Sequence, residues 1–140
     1  MESEWVAKWK EQHNDIRDEL GKLSSYVSGE TVSIGDTIDS LKKFKDVLAE
    51  HLKSEDENLY PKLLQAKDEK VRETAKQFSD EMLKISKNVF RFFDKYVHLM
   101  VSELISDNEF KVGLREIAEL VGKRIDIEEV TIYPLNKKLE

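Results

Sequence analysis

Hydrophobic residues recur every three or four positions in four segments of the chain, which is the spacing of one face of an α-helix. The apolar stripes lie at about residues 3–27, 34–63, 69–106 and 110–135, with a break at about 28–31. Short connections place consecutive helices side by side. The pattern therefore predicts an all-α fold: an antiparallel up-down-up-down four-helix bundle that forms a single domain over residues 1–140.

Composition excludes several other classes of protein. Hydrophobic residues make up 39% of the chain, too many for a disordered protein, and five Gly with two Pro disfavour a many-stranded sheet. No Cys is present, which excludes disulfides and thiolate metal ligands. A net charge of −6 disfavours nucleic acid and anionic membranes as partners.

Location and assembly are expectations from the same pattern. The chain contains no apolar run of membrane-spanning length and begins without a signal-like segment, so we expect a cytoplasmic protein. Residues 90–93 read Phe-Arg-Phe-Phe and are apolar on more than one helix face. This predicts either a wide core contact or a dimer surface, and hence a monomer or a homodimer.

Five polar residues occupy positions of the stripes where apolar residues are expected. They are His13, His51, Glu55, Arg124 and Glu128. Carboxylates are rarely buried unless they are paired or bound to a metal, because removing an isolated charge from water is too costly. His51 and Glu55 are four residues apart and share one helix face, so they can hold one ion together.

The second and fourth helices repeat one motif. Both prolines follow Tyr, at Tyr60-Pro61 and Tyr133-Pro134, and a Glu precedes each Tyr by five residues. The two copies are 73 residues apart, at Glu55 and Glu128, which predicts a site with two-fold pseudo-symmetry. Pro inside a helix removes a backbone hydrogen bond and kinks the helix, so we expect a kink at the same place in both helices.

At these residues the sequence resembles the hemerythrin-like family, also called the HHE cation-binding domain. The resemblance rests on residues 51–61, on residues 128–134 and on His13 with the residues that follow it. It implies a four-helix bundle that holds two non-haem irons, each half-site supplying two His and one Glu. The first half is intact in His13, His51 and Glu55. In the second half Arg124 and Met82 stand where the resemblance implies histidines.

The departures from the family pattern favour one metal ion rather than two. Two imidazoles and two carboxylates, from His13, His51, Glu55 and Glu128, suit iron first, with Mn(II) or Zn(II) as alternatives. Arg124 would then take the place of the second ion and direct its charge toward Glu128, and Met82 would fill the remaining volume. Such a protein would bind or sense oxygen, nitric oxide or iron.

Two other interpretations follow from the same residues. In a metal-free scaffold or protein-interaction module, Arg124 would bridge Glu55 and Glu128 and neutralise them. In the third interpretation the polar residues lie in a wet end of the bundle and form no site. Catalysis has little support, because no nucleophile is placed beside the histidines and no Gly-rich phosphate loop is present.

Overall fold

The computed structural model describes residues 3–27, 34–96 and 108–137, and within these ranges the chain is helical and contains no strand. The elements, in chain order, are α1 (Glu4–Val27), α2 (Ile34–Asn58), α3 (Tyr60–Leu64), α4 (Glu69–Tyr96), α5 (Asn108–Ile127), a π-helix (Glu128–Ile132) and α6 (Tyr133–Lys137). The predicted all-α four-helix bundle is confirmed. The predicted break at residues 28–31 and the extension of the third helix to 106 lie outside the described residues.

The four long helices α1, α2, α4 and α5 run antiparallel to their neighbours. α1 packs against α2 and α5, and α4 packs against the same two helices. Between α1 and α2, Trp9 hydrogen-bonds Ser54 near one end of the bundle, while Glu19 contacts Lys43 toward the other. Such contacts, between early residues of one helix and late residues of the next, define the up-down-up-down arrangement.

Two helix starts are fixed by side-chain caps. The Ser3 hydroxyl accepts the backbone N–H of Val6 at 3.1 Å, and a carboxylate oxygen of Asp68 accepts that of Lys70 at 2.9 Å. Each cap satisfies a backbone donor that has no partner within the first turn of its helix. The caps therefore begin α1 and α4 where the sequence pattern placed them.

Each Tyr-Pro motif coincides with an irregularity in its helix, where the repeat predicted equal kinks, and the two irregularities differ. Before Tyr60 the helix breaks at Leu59 and restarts as α3. Before Pro134 the chain instead forms a π-helix, in which the N–H of Tyr133 bonds the carbonyl of Glu128 five residues earlier. A π-turn admits one extra residue, which relieves the clash that a proline ring makes with the preceding turn.

The hydrophobic core forms two clusters with a polar layer between them. Along α1, Trp9 belongs to one cluster and Ile16 to the other, with His13 between them. In α2 and the turn that follows it, Leu48 and Leu59 belong to different clusters in the same way, and His51 and Glu55 lie between these two. The apolar clusters thus enclose the polar positions from both sides and separate them from bulk water.

The aromatic stretch of α4 belongs mainly to the core. Phe93 is fully buried, and Phe90 and Phe92 pack against the same cluster. Gly113 of α5 lets the helices approach here, because an added Cβ would lie 2.6 Å from the Phe92 ring. This agrees with the core-contact interpretation. None of the described helices is both long and apolar enough to cross a membrane.

Candidate metal centre

Four side chains from three helical segments meet in the polar layer. His13 comes from α1, His51 and Glu55 from α2, and Glu128 from the first position of the π-helix. Each residue is at most 4% exposed, and each offers one ligand atom within 4.8 Å of the other three. The structure therefore brings together the four inward polar residues that the single-ion hypothesis names as ligands.

The closest contacts in this group join atoms that can all bind a cation. His13 Nε2 lies 2.9 Å from His51 Nε2 and 3.0 Å from Glu128 Oε1, and His51 Nε2 lies 3.0 Å from Glu55 Oε1. An ion that holds nitrogen and oxygen donors at about 2.1 Å spaces neighbouring donors about 3.0–3.4 Å apart. The observed separations therefore fit a set of ligands around one transition-metal ion.

The outer nitrogens of both imidazoles are engaged by acceptors on the helices. His13 Nδ1 lies 3.2 Å from Glu129 Oε2, and His51 Nδ1 lies 2.7 Å from Gln12 Oε1. Arg17 forms an ion pair with Glu129 and fixes its carboxylate. A proton on each Nδ1 leaves the Nε2 lone pair directed inward, which is the tautomer that metal-binding histidines use.

This tautomer leaves the centre of the site without a proton donor between the imidazoles. Two Nε2 lone pairs then face each other, and Glu55 Oε1 is buried without a hydrogen-bond partner among the described residues. Such an arrangement of acceptors is costly unless a cation or added protons lie between them. A cavity of about 20 Å³ adjoins these side chains, enough for one water or ion.

The two tyrosines of the repeated motif hold the two glutamates in a crossed arrangement. Tyr60 of the first copy donates to Glu128 of the second at 2.7 Å, and Tyr133 of the second donates to Glu55 of the first at 2.7 Å. The Tyr133 hydroxyl also lies 3.0 Å from Glu128 Oε1. The repeat therefore does produce a pseudo-symmetric site, in which each tyrosine orients the carboxylate of the other half.

Charge and burial shift the pKa values of the ligands in a way that keeps protons in the metal-free site. Burial and the charge of Glu128 raise the pKa of Glu55 to about 8. Burial opposes the charged form of His51, but the two glutamates outweigh it and raise its pKa to about 9. Burial also opposes ionisation of Glu128, yet hydrogen bonds from His13 and His51 hold its pKa below the usual range. Protons thus occupy the metal-free site at neutral pH.

Arg124 makes a different ion pair from the one that the sequence suggested. Its guanidinium pairs with Glu81 of α4 and lies over the Phe78 ring, 5.4 Å from the ring centroid. Among the described residues, Arg124 forms this ion pair with Glu81 and none with Glu55 or Glu128. The prediction that Arg124 neutralises these two glutamates is therefore wrong. The helical pattern gave the inward face of Arg124 but not the direction taken by its long side chain.

Met82 borders the site, at the position where the family resemblance implied a histidine. It is half-buried and lines the small cavity together with Arg124 and Glu128. A second cavity of about 120 Å³ extends from the site between α2 and α4, and Glu55, Glu128 and Met82 contribute to its wall. The apolar side chain at position 82 therefore borders open volume next to both glutamates.

Four residues around the ligands were not assigned a role from the sequence. They are the two hydroxyl donors and the two partners of the imidazoles: Tyr60, Tyr133, Gln12 and Glu129. The tyrosines had a sequence signal, because each stands five residues after a ligand in the repeat. Gln12 and Glu129 each adjoin a ligand in the chain and had none.

The fold and the site together define a helical bundle with a buried group of histidines and carboxylates that is able to hold a cation. Comparison with protein-family models matches residues 6–135 to the Hemerythrin HHE cation binding domain. This match covers nearly the whole chain, and the protein belongs to that family. Comparisons with curated proteins and with solved structures returned no match.

Proposed function

We propose that this protein binds a single transition-metal ion, iron in the first place, through His13, His51, Glu55 and Glu128, and that it binds or senses oxygen or nitric oxide there. The observation that carries the proposal is the convergence of four buried ligand atoms, one of them the unpartnered Glu55 Oε1. Groups that attract a cation so strongly are rarely buried together without a function.

The chain's own residues prepare the site for an ion. Glu129, held by Arg17, and Gln12 orient the two imidazoles, and the crossed tyrosines orient the two carboxylates. The apolar clusters on either side exclude water and strengthen the interactions of the ion with its ligands. The ligand positions are therefore set by packing before any metal binds.

Two imidazole and two carboxylate ligands favour Fe(II), Mn(II) or Zn(II) over Ca(II) and Mg(II), which prefer oxygen ligands. A redox-active ion held by these residues would coordinate a small ligand and would exchange an electron with it. One half-site is complete, whereas Met82 and Arg124 stand at the other in place of histidines. This supports one bound ion rather than the two that the resemblance to the family implies.

The volume beside the site supports a ligand of very few atoms. A cavity of about 120 Å³ borders Glu55, Glu128 and Met82, whereas pockets for drug-sized molecules occupy about 300–1,000 Å³. Oxygen and nitric oxide fit this volume. The wall combines apolar side chains such as Met82 with the carboxylates of Glu55, Asp56, Asp80 and Glu128, so it disfavours an anionic ligand and admits an uncharged diatomic molecule.

Elemental analysis of protein loaded anaerobically with Fe(II) and then desalted tests the proposal. We expect about one iron per chain in the original protein and none in His13→Ala. Nitric oxide added to the loaded protein should give the electron paramagnetic resonance signal of a ferrous nitrosyl, which His13→Ala should lack. About two irons per chain, or iron that His13→Ala retains, would contradict the proposed site.

A further inference from the structure

Three aromatic rings connect the candidate metal centre to the protein surface. The ring centroids of Trp5 and Trp9 are 5.6 Å apart at 24°, and those of Trp9 and Tyr133 are 5.7 Å apart at 27°. Tyr133 stacks in turn on the ligand His13, at 5.5 Å and 16°. The Trp5–Trp9–Tyr133 column is therefore a continuous stack of near-parallel rings that ends against a ligand.

The two ends of this column differ in exposure. Trp5 is 36% exposed, whereas Trp9 is completely buried and Tyr133 is nearly so. At the inner end the Tyr133 hydroxyl contacts Glu55 Oε2 at 2.7 Å and also lies 3.0 Å from the carboxylate oxygen Oε1 of Glu128. The outer ring can therefore meet a reagent in solution, and the inner phenol has a carboxylate that can accept its proton.

The column is present on only one side of the pseudo-symmetric site. Tyr60, the counterpart of Tyr133, also donates to a site glutamate, but its ring stacks on Phe78 at 6.4 Å. Phenylalanine is far harder to oxidise than tryptophan or tyrosine. The chain contains two tryptophans, and both stand in the column. General requirements of aromatic packing do not call for oxidisable rings in series on one side.

We propose that Trp5, Trp9 and Tyr133 form a one-electron route between the protein surface and the metal centre. The inference rests on the proposed function for its inner end, because a redox-active ion is what the route would serve. Electron transfer rates fall steeply with distance, so three short steps between stacked rings are faster than one long step through the helix.

The electrons and protons balance as follows when an external one-electron oxidant acts on metal-free protein. The oxidant takes one electron from the Trp5 indole and is reduced. Trp9 returns an electron to Trp5, and Tyr133 returns one to Trp9. The Tyr133 phenol then passes its proton to the carboxylate of Glu128, whose Oε1 lies 3.0 Å from the hydroxyl, and becomes a neutral tyrosyl radical.

Photo-oxidation of metal-free protein tests the route without depending on metal binding. A flash-generated tris(bipyridine)ruthenium(III) ion, a soluble one-electron oxidant, is mixed with the protein, and the radical is identified by electron paramagnetic resonance after freezing. We expect a tyrosyl radical in the original protein, its loss in Tyr133→Phe and its retention in the matched control Tyr60→Phe.

Trp5→Phe is the decisive variant because Trp5 is partly exposed and its replacement leaves the core intact. We expect the tyrosyl radical to disappear in Trp5→Phe, with unchanged circular dichroism. An undiminished radical in Trp5→Phe, or a radical that survives in Tyr133→Phe, would overturn the route. A protein that binds no iron but shows the expected radical pattern would refute the proposed function and leave the route standing.

Discussion

Replacing Glu55 with Gln removes the charge from a buried site carboxylate while keeping its shape. Glu55 Oε2 accepts the Tyr133 hydroxyl, and Oε1 faces His51 Nε2 at 3.0 Å without a hydrogen bond. In the glutamine the amide oxygen can keep the bond from Tyr133. The charge of Glu55 helps to raise the pKa of His51, so its removal favours the neutral imidazole. The amide nitrogen can then donate to Nε2 of His51, so both polar atoms of the glutamine side chain are hydrogen-bonded.

The size of the effect follows from the pKa of Glu55. Its pKa rises from 4.5 to about 8 on folding, so holding this carboxyl protonated in the folded protein costs about 3 kcal/mol at pH 7. Glutamine does not carry this cost. A buried carboxyl with a raised pKa lowers the free energy of unfolding more and more as the pH rises from 4.5 to 8. At pH 5 this penalty is small, so the gain in stability from Glu55→Gln should shrink to below about 1 kcal/mol.

Urea denaturation followed by circular dichroism measures this gain, and elemental analysis of the same samples measures iron. We expect metal-free Glu55→Gln to be up to about 3 kcal/mol more stable than the original protein at pH 7 and to bind no iron. Glu19→Gln is the matched control. Glu19 is equally buried and also has one unpartnered oxygen, but its other oxygen contacts Lys22 and Lys43 at 3.3 Å.

The control should behave in the opposite way. Glu19→Gln loses its ion pairs, so we expect it to be about 1 kcal/mol less stable and to bind iron normally. The reasoning is refuted if Glu55→Gln is destabilised without metal, or if it binds iron as tightly as the original protein. Either result would mean that Glu55 is kept for the fold rather than for an ion.

Three further predictions test the ligands and the missing half-site. His51→Ala should abolish metal binding with little loss of helix content, and metal that persists in this variant would place the site elsewhere. Metal binding should displace protons from His51 and Glu55, so the affinity for the metal should rise by up to about 100-fold per pH unit below pH 8. Titration calorimetry in two buffers counts the released protons. A metal affinity that does not change with pH would contradict the pKa shifts. The double change Met82→His and Arg124→His should raise the iron content, measured by elemental analysis, from about one to about two per chain. Met82→His alone should not raise it. An unchanged iron content in the double variant would show that position 124 cannot serve a second ion.

The inward positions could be predicted from the sequence because helical periodicity is local. His13, His51, Glu55 and Glu128 each replace an apolar residue in a stripe, and a helix turns every residue of a stripe to the same side. Antiparallel packing then brought these stripes to one level of the bundle. Neither step needed the detailed path of a side chain.

The partner of Arg124 could not be predicted in this way. Its side chain is long enough to reach several carboxylates, and the chain contains 29 acidic residues. Pairing with the half-exposed Glu81 avoids the cost of burying a guanidinium beside the site, and Phe78 adds a favourable contact with its ring. The choice depends on hydration as well as on helix geometry.

The crossed tyrosines and the π-helix also depended on the three-dimensional arrangement. The repeat indicated that Tyr60 and Tyr133 have equivalent roles. That each tyrosine binds the glutamate of the other copy follows only from the way in which the ends of the second and fourth long helices, which run parallel across the bundle, meet at the site. Equal Tyr-Pro pairs gave a break in one helix and a π-turn in the other. Neighbouring packing decides how a proline is accommodated.

Anomalous diffraction from crystals of iron-loaded protein, recorded on both sides of the iron absorption edge, tests the central claim most directly. We expect one iron peak per chain, bonded to His13 and His51 through Nε2 and to the carboxylates of Glu55 and Glu128. Two peaks about 3.5–4 Å apart would mean that the second half-site is functional despite Arg124 and Met82. A single peak away from these four side chains would contradict the account altogether.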